Sequence, residues 1–149
     1  IEPTTYAVLA EHPMIQGIKE ANGAIDKIVE TMSLVGDKLD VYSGNDDQIV
    51  PLLSVGGKGV ISVLSNVVPK ETHDICAKYL AGDVKGSLEL QMKYLPLVRA
   101  LFCEVNPIPV KKALNLMGFE VGSLRLPLTE LEESNTEKLA KSMRDFGIL

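Results

Sequence analysis

The sequence lacks most of the features that announce a protein class. Lys and Arg number 15 against 20 Asp and Glu, giving a net charge of -5, and the basic residues are scattered among acids. Nucleic-acid binding needs clustered cations, so that class of partner is excluded. Only two cysteines occur, Cys76 and Cys103. They make no disulfide framework; they suit a reduced, cytoplasmic compartment and fall in helical patterns, where thiols pack as small apolar groups. No apolar run reaches the ~18 residues of a membrane span. No basic leader is visible, and there is no initiator Met. Low-complexity segments and solenoid periods are missing too. His12 and His73 lie far apart, each without a partner at metal-ligand spacing. The glycine-rich "VGGKGV" lacks the Lys-Ser/Thr of a phosphate loop. Neither a metal, a cofactor nor a membrane is expected.

What is present is a chain of 149 residues, 46% of them hydrophobic. That is about one domain's length, with apolar surface for a sizeable core. "IEPTTYAVLAEHP" reads as a helix capped by Thr4 or Thr5 and stopped by Pro13. Opening on a bare helix, with no strand before it, predicts a chain that begins in the middle of a larger protein. A strand follows over 14–19. Ile25, Ile28, Val29, Met32 and Val35 then fall at helical spacing, closed by Gly36. "KLDVYSG" is a second strand, ending at Gly44, and "NDDQIVPLLSVGG" a helix that starts with capping side chains. "KGVISVLSN" is a third strand, rich in β-branched residues. Pro69 and Gly82 frame the next helix.

Strands alternating with helices predict parallel βαβ units and an α/β fold. After residue 66 no strand is expected. A long helix contains Pro96, where a kink is predicted. A helix from Asn106 to Gly118, a loop, and a final helix capped by Ser134 or Asn135 complete the chain. Leu139, Met143 and Phe146 share one face of that last helix. The domain boundary is placed at Gly82–Asp83, where alternation gives way to helices alone.

Three strands close no barrel, and a three-stranded parallel sheet leaves two raw edges. Chemistry centres on Lys19. Alternation puts Ile15, Gly17 and Lys19 on one face and Met14, Gln16 and Ile18 on the other. Lys19 then stands at the carboxyl end of its strand, where parallel barrels carry their active sites, with Gly17 leaving room beneath it. Gly44, without a side chain, lets a small substrate approach the backbone. Read alone, a strand-end lysine is usually a solvated tip or half of an ion pair. Its neighbour Glu20 points the opposite way. A desolvated lysine, in contrast, loses part of its preference for the charged form, and the neutral amine attacks carbonyls to give Schiff bases. Spacing leaves both readings open. Asn45, Asp46 and Asp47 offer oxygen ligands for a cation, but their place before a helix favours N-capping.

"GIKEANG", "YSGNDD", "GGKGVISVLSNVVP", "CEVNPIPVKKAL" and "LRLPL", in that order, resemble the C-terminal half of the dihydrodipicolinate synthases. These are the 4-hydroxy-tetrahydrodipicolinate synthases of lysine biosynthesis, within a wider group of pyruvate-dependent aldolases that includes N-acetylneuraminate lyase. The lysine motif is common to the group; "NPIPVK" and "LRLP" are more specific to the synthase. The resemblance covers essentially the whole chain. It implies helix five and strands six to eight of a (β/α)8 TIM barrel over 1–82, then a helical C-terminal domain over 83–149. It implies that Lys19 forms an imine with pyruvate and that the backbone at Gly44 and Ile61 lies beside the bound substrate. It also implies L-aspartate 4-semialdehyde as second substrate and a homotetramer for the full-length protein. The family's proton-relay tyrosine, its carboxylate-binding arginine, an early threonine pair and the feedback site for lysine belong to the missing early half. Tyr6 and Tyr42 do not replace them. Two classes of function stay open: an aldolase-type enzyme, of which this chain alone is expected to be inactive, and a non-catalytic half-barrel that associates with another copy.

Overall fold

The computed structural model describes residues 1–149. The first helix, α1 (Pro3–Leu9), starts before the threonines expected to cap it, because Pro3 takes the first turn, where a missing N–H matters least. The strand expected over 14–19 is shorter and later, β1 (Gly17–Glu20). Residues 12–16 are held in local turns instead. The Met14 N–H donates to His12 Nδ1 at 3.2 Å, the Ile15 N–H to the His12 carbonyl at 3.0 Å and the Gln16 side chain to the Pro13 carbonyl at 2.6 Å. Local bonds of this kind compete with a sheet ladder, and Met14 is left 81% exposed.

After α2 (Ile25–Val35) and β2 (Asp40–Ser43), a 3-10 turn at Asp46–Gln48 leads into α3 (Ile49–Ser54). The third strand, β3 (Gly59–Val60), is far shorter than "KGVISVLSN" suggests, because residues 64–66 coil into a second 3-10 turn. α4 (Pro69–Leu80), α5 (Val84–Leu101), α6 (Ile108–Leu116) and α7 (Glu133–Asp145) follow. α5 continues on both sides of Pro96. The sheet is parallel, in the order β1-β2-β3, with Lys19 opposite Tyr42 and Tyr42 opposite Gly59. The α/β class expected from the alternation is therefore the class observed. No helix is long and apolar enough to cross a membrane.

The chain forms two compact units. The first takes Ile1–Ser62 and Asp74–Gln91. Its core joins Ile18 and Val41 of the sheet to Tyr6 of α1, Ile28 and Val35 of α2 and Leu52 of α3. A neighbouring cluster joins Ile49, Val50 and Leu53 of α3 to Ile75 of α4. Two buried polar side chains of α5 complete this unit. The Ser87 hydroxyl donates to the Ile75 carbonyl at 2.6 Å; Gln91 accepts from the Val50 N–H at 2.7 Å and donates to the Asp47 carbonyl at 2.9 Å.

The second unit takes Val63–His73 and Met92–Leu149. Here α6 packs on α7, and Ile108, Ala113, Leu139 and Met143 are buried. Tyr94 stacks on Phe146 with ring centroids 4.9 Å apart. Asn135 does not cap α7, which starts at Glu133; it donates instead to Glu104 Oε1 at 2.8 Å, and the same oxygen takes the Glu132 N–H at 3.1 Å.

Candidate active site

The two faces of the sheet differ in chemistry. Ile18, Glu20, Val41 and Ser43 are buried, while Gly17, Lys19 and Asp40 on the opposite face are exposed and Tyr42 is half-buried. Lys19 stands on this open face, in the register position beside Tyr42. A methyl group at Gly44 would lie 3.1 Å from Lys19 Cε, 3.2 Å from Lys19 Cγ and 2.6 Å from the Ala21 Cβ. The lysine stem therefore runs against Gly44, just past the carboxyl end of β2. Gly44, not Gly17, makes room for the lysine. Gly17 serves the pairing of strands, since a Cβ there would come within 2.7 Å of the Asp40 carbonyl. Ile61 follows β3, its N–H donating to the Ser43 carbonyl at 2.8 Å and its side chain 47% exposed. Lys19, Gly44 and Ile61 thus gather at the carboxyl ends of three adjacent parallel strands.

Behind the lysine lies a polar cluster that the sequence did not single out. Glu20 is only 5% exposed. It accepts from the Tyr6 hydroxyl at 3.2 Å and from the Asn22 N–H at 2.8 Å. Burial, and then the Glu20 carboxylate, push the Tyr6 phenol above its ordinary value. Asn22 in turn accepts from the Ala24 N–H at 2.7 Å. Gln48 donates to the Gly23 carbonyl at 3.0 Å and accepts from the Asn45 side chain at 3.2 Å. The Ser43 hydroxyl donates to the Asn45 carbonyl at 2.8 Å. One signal for this cluster was present in the sequence: alternation places Glu20 on the same face as Ile18.

Other candidates offer less. Asn45 precedes the 3-10 turn in an extended conformation and makes no side-chain cap; Gln91 satisfies the start of α3 in its place. No group of three or more His, Cys, Asp or Glu side chains is arranged to hold a metal ion. Both cysteines are free, and burial is the main cause raising each thiol's pKa, which disfavours the nucleophilic thiolate. A pocket of about 200 Å³ lies beside β1, lined by Tyr6, Leu9, Ile15, Gly17, Ile18 and Lys19 among others.

Known proteins share this fold. The model of the dihydrodipicolinate synthetase family matches residues 1–145. The 4-hydroxy-tetrahydrodipicolinate synthase of Lachnoclostridium phytofermentans is 58% identical over 150 residues, spanning 100% of this chain and 51% of its own. The solved dihydrodipicolinate synthase from Thermotoga maritima superposes with a TM-score of 0.94 at 48% identity, covering 99% of this chain and 51% of that one. The chloride-inhibited synthase from Acinetobacter baumannii, solved in complex with pyruvate, gives a TM-score of 0.92 at 40% identity, covering 99% and 51%. The chain spans about half the length of the curated relatives it matches. With the family model matching residues 1–145 and a relative 58% identical across the whole chain, the chain belongs to the dihydrodipicolinate synthetase family.

Proposed function

We propose that the chain is the part of a 4-hydroxy-tetrahydrodipicolinate synthase that carries the Schiff-base lysine. In this reading the neutral amine of Lys19 attacks the C2 carbonyl of pyruvate, water leaves, and an imine forms. Loss of a C3 proton gives an enamine, whose carbon adds to the aldehyde of L-aspartate 4-semialdehyde on the way to 4-hydroxy-tetrahydrodipicolinate. The backbone at Gly44 and Ile61 lies beside the pyruvate. The protonated imine is itself the electron sink, so the reaction calls for neither cofactor nor metal. One observation carries the reading: Lys19 lies on the open face of a parallel sheet, at the strand ends, with its stem against a glycine that admits no side chain. The pyruvate held by the Acinetobacter baumannii relative supports the substrate class.

Residues 1–82 are then the C-terminal part of a (β/α)8 barrel. Residues 83–149 are a helical C-terminal domain whose first helix begins by packing on the barrel part through Ser87 and Gln91. The full-length protein is a cytoplasmic homotetramer of lysine biosynthesis. This chain alone does not complete the reaction. The Tyr6 hydroxyl is engaged with Glu20, whose side chain lies on the covered face of the sheet. A second reading, a non-catalytic half-barrel that associates with another copy, is favoured by β1 and β3 being the end strands of the sheet.

Borohydride reduction of the full-length polypeptide with pyruvate separates the two. It is expected to add a pyruvate-derived mass to the peptide bearing Lys19 and none after Lys19→Ala. Label at another residue, or undiminished label in the alanine variant, overturns the assignment.

A further inference from the structure

We propose that Glu20 is a positioning residue for Lys19, an inference that rests on the imine reading above. Glu20 follows Lys19 in β1, with its carboxylate buried on the opposite face. A buried carboxylate needs hydrogen-bond donors, and this one has two from separate segments: the Tyr6 hydroxyl of α1 and the Asn22 N–H of the loop beyond the strand. The Glu20 carbonyl also accepts the Gly44 N–H at 2.7 Å. A helix, the loop after β1 and the residue that follows β2 are thereby tied to the residue bonded to Lys19.

The lysine has no comparable anchor of its own. Its direction is set by the backbone from which it hangs and by the wall at Gly44. Gln48 extends the tie by joining the loop after β1, at Gly23, to the loop after β2, at Asn45. Releasing the Glu20 carboxylate frees the turn that aims the amine. A displacement of about 1 Å at a reacting group lowers a rate by up to about 10²-fold.

The test is rapid-quench borohydride trapping of pyruvate by the full-length polypeptide, with the limiting rate and the half-saturating pyruvate concentration measured separately. Tyr6→Phe removes a single donor, Glu20→Gln keeps an acceptor oxygen and the shape, and Glu20→Ala removes both. The limiting rate is expected to fall about 10-fold or more in Glu20→Ala, to be partly restored in Glu20→Gln and to fall several-fold in Tyr6→Phe. Half-saturation is expected to stay within about two-fold, a split that general loss of structure does not produce. If Glu20→Ala does not fold, Tyr6→Phe and Glu20→Gln decide. Wild-type limiting rates in those two variants overturn the proposal and leave Lys19 as the nucleophile. Absence of label at Lys19 in the unsubstituted protein overturns the imine reading and this proposal together.

Discussion

Gly44 is defined by its neighbours rather than by its own torsion angles. A methyl group there meets the Ala21 Cβ at 2.6 Å and the Lys19 stem at 3.1–3.2 Å. The approach to the Ala21 Cβ forces the backbone of one of the two loops to shift, and the Lys19 stem has to give by a few tenths of an ångström as well. Gly44→Ala is expected to lower pyruvate labelling of Lys19 in the full-length polypeptide by about 10²-fold. It is also expected to destabilise the fold by about 1–3 kcal/mol, the usual cost of overpacking. Mass spectrometry reads the first effect and urea unfolding the second; unchanged labelling would remove Gly44 from the site. Lys19→Arg is expected to trap no pyruvate, because a guanidinium stays protonated and forms no imine. Lys19 and its face were legible in the sequence because strand alternation is local. The contact with Gly44 was not, because it depends on the register between two strands. Glu20 lay between these cases: its parity was readable, its partner Tyr6 was not.

Among the elements, the starts of helices show how far local pattern reaches. Thr4 or Thr5, Asn45, and Ser134 or Asn135 are the side chains that a sequence reader assigns as caps. In the structure α1 opens on Pro3 with no side-chain cap, Gln91 serves the start of α3 and Glu104 the start of α7. The existence and order of the α/β elements were legible, since apolar periodicity is local. Their ends were not, since remote side chains set them. The strand expected at 14–19 begins three residues late because the backbone N–H groups of Met14 and Ile15 are already committed to His12. Gln91→Leu tests the remote cap. It keeps a similar volume but leaves the Val50 N–H and the Asp47 carbonyl without this partner. A loss of about 1–3 kcal/mol is expected, seen as a lower urea midpoint at unchanged slope. A midpoint equal to wild type would show that the α3 start is satisfied in another way.

For the whole molecule, the 149-residue polypeptide presents an open sheet face and two end strands. Open strand edges recruit partners. Self-association, or a loosened sheet attached to ordered helices, is the expected behaviour in sedimentation and hydrogen exchange. A monodisperse monomer with strongly protected amides in all three strands would refute this. Turnover is expected to be far below that of a complete synthase, since relay residues contribute factors of about 10²–10⁴ each. A coupled reductase assay, with Lys19→Ala as the control for host enzyme, measures it; a rate near that of a complete synthase would refute the expectation. The two units are also interleaved along the chain, because the first takes Asp74–Gln91 from beyond the segment that opens the second. A nascent polypeptide leaving the ribosome therefore cannot finish its first unit when β3 has emerged. The start of α3 waits for Gln91, for several seconds at about 5–20 residues per second. Slow codons placed between residues 62 and 91 would prolong that wait, and with it the time during which an incomplete sheet is open to capture by chaperones.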